Sequence, residues 1–392
     1  MKARSSESAT AAMVFALLVI TAGCAQMPNT TVSAQPSLRA TAIVHWNEYA
    51  RDLITSNPSV PAPRVFPYLA LAQHNAAVSA RQLGHSVDGA VAGASAGVLA
   101  FFYPNKAKVI DGDLVRETAA LGASRSGDEF SAGVEIGRRI AAEVIASAKA
   151  DRFDVDWSGA RPTTPGTWVS QARPPEPPLY TRFVGMRPFS LASGSEFRAA
   201  PPPALESEVF RANVAEVRKF SDNRTVEQLR IAQYWEMVTG PFMPGYWNQI
   251  AIDAADSHHL SQEETAQLLA LVHMAWVDAF IACADSKYVY WVPRPTQADP
   301  EIRLAIGLPN HPSYPSNHSC TASATARVLD ARFPDQGGRY LALAQEVATS
   351  RLYAGIHYPM DIDAGLEIGR KVAAKVVGQG LPTDRVWLPG AR

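Results

Sequence analysis

The chain lacks most of what would mark it as a disulfide scaffold, a nucleic-acid binder or an integral membrane protein. It has three cysteines in 392 residues, too few to staple a small fold. Its 36 Lys and Arg face 37 Asp and Glu, for a net charge of −1. No excess of one sign therefore points to a polyanion or a charged membrane surface as partner. Alternating apolar and polar runs bounded by turn signals are scarce, so there is little from which to build a sheet. Past the N-terminus, no stretch of membrane-spanning length is free of charges. What is present is 47% hydrophobic residues, enough for one large core or two smaller ones.

The N-terminus differs from the rest. Lys2 and Arg4 precede an apolar run from Ala11 to Ala22, followed by Gly23-Cys24. The run is too short to cross a bilayer and has the charged-then-apolar shape of an export leader, which assigns residues 1–24 to a signal peptide. Thr21-Ala22-Gly23-Cys24 resembles a lipoprotein processing site, in which Cys24 is lipidated and becomes the new N-terminus; ordinary cleavage after Ala25 is the alternative. The expected location is the periplasm, free or anchored by lipid to the outer membrane. Residues 25–37 are polar and read as a tether. Cys283 and Cys320 are then the only cysteines left, either as a disulfide that an oxidising compartment permits or as two buried thiols.

Apolar spacing predicts helices throughout. Ile43, Trp46, Tyr49, Leu53 and Ile54 mark one between Leu38 and Asn57; Phe66, Leu69, Leu71 and Ala76 mark a second over Arg64–Leu83. Small-residue segments between Ala90 and Ala120 continue the pattern, and Ser126-Gly-Asp-Glu129 caps a helix that reaches about Ala150. These form an N-terminal helical region, 38–156. Residues 157–204 hold 10 of the chain's 29 prolines but also Trp168, Phe183, Met186, Phe189 and Phe197. Aromatics at that density pack, which predicts an ordered irregular wrap over a helical surface. Helices resume over 207–220 and 225–237, and Ser261-Gln-Glu-Glu264 caps a long apolar helix that delivers Lys287 at its far end. Residues 205–385 read as the catalytic region, and the fold class is all-α, a helical bundle.

Three C-terminal motifs carry the chemistry. Lys287 is followed after six residues by Arg294-Pro295; then come Pro315-Ser316-Asn317-His318, and Ser350-Arg351 with His357 and Asp361 beyond. Guanidinium and ammonium charge, a hydroxyl and backbone N–H groups suit a small tetrahedral oxyanion. Ser316 is a natural N-cap, and the helix it starts offers unpaired N–H groups beside Asn317 and His318. His357 and Asp361 are spaced so that the carboxylate can take the proton of one ring nitrogen and leave a lone pair on the other.

The order and spacing of these motifs resemble the signature of the type 2 phosphatidic acid phosphatase and vanadium haloperoxidase superfamily, which includes the bacterial class A acid phosphatases. Pro188-Phe-Ser-Leu-Ala-Ser193 and Phe197 to Leu205 also look like the corresponding stretch of haloperoxidase-like bacterial proteins. The resemblance implies that His357 attacks phosphorus or ligates vanadium, that Asp361 orients it, and that His318 handles the leaving-group proton. It implies that Lys287, Arg294, Arg351, Ser316 and the Asn317 backbone hold the equatorial oxygens, with no divalent metal. One position departs: the residue at Asn317 is usually Gly.

Two activities share this pattern. His311 matches the position at which brominating haloperoxidases carry His. Asn317 and the Val292-Pro293 pair before Arg294 depart from the haloperoxidase pattern, and hydrolysis of small phosphomonoesters through a phosphohistidine is the reading favoured, with no cofactor. The alternative is a vanadate-dependent haloperoxidase that takes peroxide and halide; the third reading is a non-catalytic oxyanion-binding lipoprotein. The expected partner is a small phosphorylated substrate, or vanadate, with no nucleic acid.

Overall fold

A computed structural model describes residues 37–57, 60–122, 127–239 and 243–390. The leader, Cys24, nearly all of the tether and Ser126 of the expected capping box lie outside the described residues. Ser37–Arg392 forms one compact unit, and every regular element among the described residues is helical.

The N-terminal helices are α1 (Ala42–Ser56), α2 (Ala62–Leu83), α3 (Val87–Phe102), α4 (Ala107–Gly122) and α5 (Gly127–Lys149). α3 and α5 approach closely because glycines face each other across the seam: a Cβ on Gly137 would stand 2.6 Å from the Ala94 nitrogen. A short helix, α6 (Thr181–Gly185), sits within the wrap. Then follow α7 (Glu208–Asp222), α8 (Val226–Thr239), α9 (Met243–Ser257), α10 (Gln262–Tyr290) and the single turn α11 (Pro295–Ala298). The chain closes with α12 (Asn317–Arg332), α13 (Arg339–Tyr353) and α14 (Pro359–Gln379).

The sequence pattern did not announce α9, because Pro244-Gly245 reads as a turn. Both residues fall in its first turn, where a missing N–H leaves no helical bond unmade. The helix buries Trp247, Ala251, Ile252 and Ala255 and packs on α2, α8 and α10.

α10 is the spine of the unit. Its capping box is present, with Ser261 Oγ accepting from Glu264 N at 3.2 Å and the Glu264 carboxylate accepting from Ser261 N at 2.9 Å. It is apolar all round, as a helix enclosed on every side must be, and it touches α2, α9, α12 and α14. By length and composition α10 could cross a bilayer, but 89% of its most apolar window is buried inside the structure.

The proline-rich segment is ordered, and polar groups on α10 pin it. Asp278, fully enclosed, accepts three backbone N–H bonds, from Phe189 and Ser190 at 2.7 Å and Leu191 at 3.2 Å. Asp285 takes both arms of Arg198, at 2.6 and 3.0 Å, and Ser286 Oγ accepts from Ala199 N at 3.0 Å. Aromatic burial is the other half of the anchor, with Phe183 packed at 4.8 Å on Phe280. Removing one carboxylate strands three donors, each costing about 1–3 kcal/mol when buried without a partner. Asp278→Ala is therefore expected to lower unfolding free energy by at least about 3 kcal/mol and to open the 186–200 segment to limited proteolysis. An unchanged urea midpoint and an intact proteolytic pattern would show that the aromatic contacts alone hold the wrap.

Candidate active site

Each of the three motifs arrives on a helix end. Lys287 lies in the last turn of α10. Trp291 then caps that helix in left-handed backbone (φ 50°), which turns the chain and sends Val292, Pro293 and Arg294 back across the core. Ser316 caps α12, its Oγ accepting weakly from Ser319 N at 3.4 Å. Ser350 and Arg351 occupy the last turn of α13, and Asp361 the first turn of α14. Gly365 lets α14 reach the start of α12, since a Cβ there would lie 2.7 Å from both the Ser316 carbonyl oxygen and Ser319 Cβ. The approach is sealed by Ser316 N donating to the Asp361 carbonyl at 2.9 Å.

The two histidines are differently placed. His357 is fully enclosed, and its Nδ1 lies 2.8 Å from Asp361 Oδ2. An ionised carboxylate has no proton to give, so Nδ1–H is the donor and Nε2 keeps a lone pair. Arg294 Nη1 points at that lone pair from 3.2 Å. Any electrophile meeting Nε2 thus already faces a guanidinium. His318, in the first turn of α12, is half-buried, with the charges of Arg351, Arg294 and Lys287 acting on it.

Asp361 is held by groups that the sequence did not point to. Ser313 Oγ donates to Oδ2 at 2.5 Å and Tyr358 N at 3.1 Å, so the carboxylate is fixed before the imidazole is counted. Ser313 also lies 3.4 Å from His357 Nδ1. Its only sequence signal is membership of the His311-to-Ser316 loop.

The cations are engaged more fully than their spacing suggested. Lys287 Nζ donates to the carbonyls of Pro312 at 2.9 Å, Ser313 at 2.7 Å and Pro315. All three of its protons are committed to the loop that carries Ser316, so in this arrangement the ammonium gives the pocket charge, and not a hydrogen bond. Arg294 donates to the carbonyls of His311 and Ile356, both at 2.8 Å, and its Nη2 contacts His311 Nδ1 at 3.0 Å. Arg351 is bound by Ser350 Oγ at 2.9 Å, by the Ala232 carbonyl at 3.1 Å and by Glu236 Oε2 at 2.9 Å. Glu236, on α8, had no signal at all, because nothing in its neighbourhood repeats a motif. Asn317 is buried, with its side-chain oxygen lacking a protein partner among the described residues. Cys283 and Cys320 are both buried and free, and the Cys283 thiol donates at 3.6 Å to the same Pro315 carbonyl that Lys287 uses. His258 is paired at the surface with Asp335 at 3.0 Å.

Burial shifts several of the ionisable groups here. It pushes Asp361 up to about 6 and Lys287 down to about 8. It also lowers Arg294 to about 10. Burial first, then the charges of Arg294 and Lys287, hold His311 and His357 well below 6.5; for His318 the charge of Arg351 adds to both. All three imidazoles are neutral at pH 7. Elsewhere, burial lowers His74 to about 4 and His273 to about 3, and raises Glu117 and Asp278 to about 7.

These shifts oppose one another in acid. A carboxyl raised in the folded state stabilises the fold as pH drops, whereas an imidazole lowered in the folded state destabilises it below 6.5. Below pH 6.5 the five lowered imidazoles outnumber the three raised carboxyls, so stability is expected to fall on acidification and unfolding to take up protons, as denaturation followed between pH 6.5 and 5 would show. A flat or rising stability on acidification would mean that the imidazoles are already charged in the folded protein.

Residues 266–379 match the PAP2 superfamily. The chain is 30% identical over 112 residues to the decaprenylphosphoryl-5-phosphoribose phosphatases of two Mycobacterium tuberculosis strains, a match covering 27% of this chain. The chain spans 60% of the length of those curated relatives. Among solved structures, the first bacterial vanadium-dependent iodoperoxidase is similar with a TM-score of 0.74 at 21% identity, over 87% of this chain and 96% of that one. A holo-type bacterial vanadium-dependent chloroperoxidase is similar with a TM-score of 0.65 at 17% identity, over 84% and 96%. These likenesses establish the all-α fold.

Proposed function

We propose that this protein hydrolyses phosphomonoesters through a phosphohistidine at His357. The observation that carries the reading is the lone pair on Nε2, created by the Asp361 contact at 2.8 Å and already facing Arg294. In this scheme the negative charge of the bound phosphate offsets the cations around His318, which takes up a proton; Nε2 of His357 attacks phosphorus while the bond to the leaving oxygen breaks, and the protonated His318 gives that oxygen its proton. His318 then takes a proton from water, whose oxygen displaces His357 and releases inorganic phosphate. Arg294 and Arg351 stabilise the charge gathered on the equatorial oxygens, and the Lys287 charge adds to the same field. The 30% identity to the mycobacterial phosphatases supports this choice. If residues 1–24 act as an export leader, the substrate is met outside the cytoplasm.

A second reading is vanadate-dependent peroxide halogenation, favoured by the His311 ring on Arg294 and by the extent of the likeness to the iodoperoxidase. The residues fit vanadate: Nε2 of His357 is an available lone-pair donor, and the same cations face the oxygens. Bound vanadate would supply peroxide activation; His357, Asp361 and the arginines would only hold and orient it. One preparation decides between the two. As a phosphatase, the protein cleaves an aryl phosphate and is inhibited by vanadate. If vanadate instead switches on peroxide-dependent bromination or iodination of a dye, while no aryl phosphate is cleaved, hydrolysis is the wrong reading.

A further inference from the structure

Tyr180 stands at the edge of the pocket with its backbone in the left-handed region (φ 66°, ψ 12°), where large non-glycine residues are uncommon. Neighbouring contacts hold it there. Leu179 N donates to the Asn310 carbonyl at 3.0 Å, the Tyr288 hydroxyl donates to the Leu179 carbonyl, and Phe183 N donates to the Tyr180 carbonyl at 3.0 Å. Asn310 itself is occupied with Ser170 and with the carbonyls of Glu176 and Pro177, binding this stretch of the wrap to the loop that leads into His311.

The result of all this anchoring is one ring in one place. The Tyr180 centroid lies 5.5 Å from that of His311 and 5.1 Å, edge-on, from that of Phe280. Arg294 connects this wall to the reacting imidazole, touching His311 Nδ1 at 3.0 Å and His357 Nε2 at 3.2 Å. Yet Tyr180 remains 43% exposed, and its hydroxyl has no protein partner among the described residues. Packed on Phe280 and His311 yet 43% exposed, the ring keeps part of its surface open beside the enclosed anion site. A fixed ring with an open side receives another flat apolar group well, since stacking needs no further ordering of the wall.

We infer that Tyr180, with the His311 ring beside it, receives the organic group attached to the bound oxyanion and selects an aromatic group over a small aliphatic one. The inference rests on the oxyanion pocket of the proposed function but not on its hydrolytic step. It is tested by binding alone, with phenylphosphonate and methylphosphonate titrated calorimetrically into the full chain. Wild type is expected to bind the phenyl compound about tenfold tighter, a difference typical of one good aromatic contact. Tyr180→Gly, which suits the left-handed backbone, should shrink that preference to less than about twofold while leaving methylphosphonate affinity unchanged; Tyr180→Phe should keep it. Equal affinities in wild type, an undiminished preference in Tyr180→Gly, or parallel loss of both ligands in that variant would each overturn the assignment. Failure of wild type to bind either phosphonate would sink the oxyanion pocket itself, and the inference with it.

Discussion

Replacing His357 by alanine is expected to abolish turnover of an aryl phosphate, by at least about a thousandfold, while phosphate still binds. The expectation comes from the division of labour in the pocket. The charge that attracts the anion sits on Lys287, Arg294 and Arg351, each held by partners other than His357: loop carbonyls for Lys287, the His311 and Ile356 carbonyls for Arg294, and Glu236 for Arg351. Removing the imidazole leaves those cations in position, so affinity falls little. It removes the lone pair that attacks, and no other side chain among the described residues offers an equivalent one at that place. Asp361→Asn gives a second test. Oδ2 also accepts from Tyr358 N and Ser313 Oγ, so the amide keeps its oxygen there and the ring its lone pair, but the negative charge that stabilises the imidazole as it becomes cationic is lost. A loss on the order of a hundredfold is expected from that charge alone. The measurement is kcat for both variants together with phosphate affinity by calorimetry. If His357→Ala kept turnover within about tenfold of wild type, the attacking group would have to be something other than His357.

What the sequence made legible was the part governed by local rules. The Ser261 capping box and the apolar spacing beyond it located α10, and with it the position of Lys287 at a helix end. Ser316 followed by a helix placed the second motif, and the spacing of His357 and Asp361 anticipated the contact at 2.8 Å. Of the side chains that density drew attention to in 157–204, Trp168, Phe183, Met186 and Phe189 are buried. What stayed hidden depends on pairs distant in the chain. Asp278 carried no signal in the sequence, because its three partners lie in Phe189–Leu191, 87 to 89 residues earlier. Glu236 meets Arg351 only because α8 packs on α13. Pro244-Gly245 hid α9, since turn residues and first-turn residues share a composition. Cation spacing, finally, revealed which charges are present but not where their protons go. Lys287 read as a direct ligand of the anion; in the fold it spends its donors on the loop beside it.

That commitment gives Lys287→Met the largest expected effect on stability. Methionine fills most of the same space, so little cavity forms, and the loss is almost wholly polar. Three carbonyl oxygens, of Pro312, Ser313 and Pro315, lose a charged donor in a site closed to solvent. Hydrogen bonds to charged groups contribute about 1.5–3 kcal/mol each, but a neutral loop can relax to share the loss. The lysine itself already bears a burial penalty, visible in its drop to about 8, and removing it returns part of that cost. The balance is a destabilisation of about 3–5 kcal/mol, comparable to breaking a buried ion pair from one side. Because the three carbonyls bracket the loop from Pro312 to Pro315, the same change should loosen Ser313 and Ser316, and through Ser313 the carboxylate of Asp361. Urea unfolding and phosphate titration of the variant separate the two roles. A lysine that chiefly cinches the loop costs stability and affinity together; a lysine that chiefly holds the anion would cost affinity while leaving the unfolding midpoint within about 1 kcal/mol of wild type, and that second outcome would reverse the assignment made here.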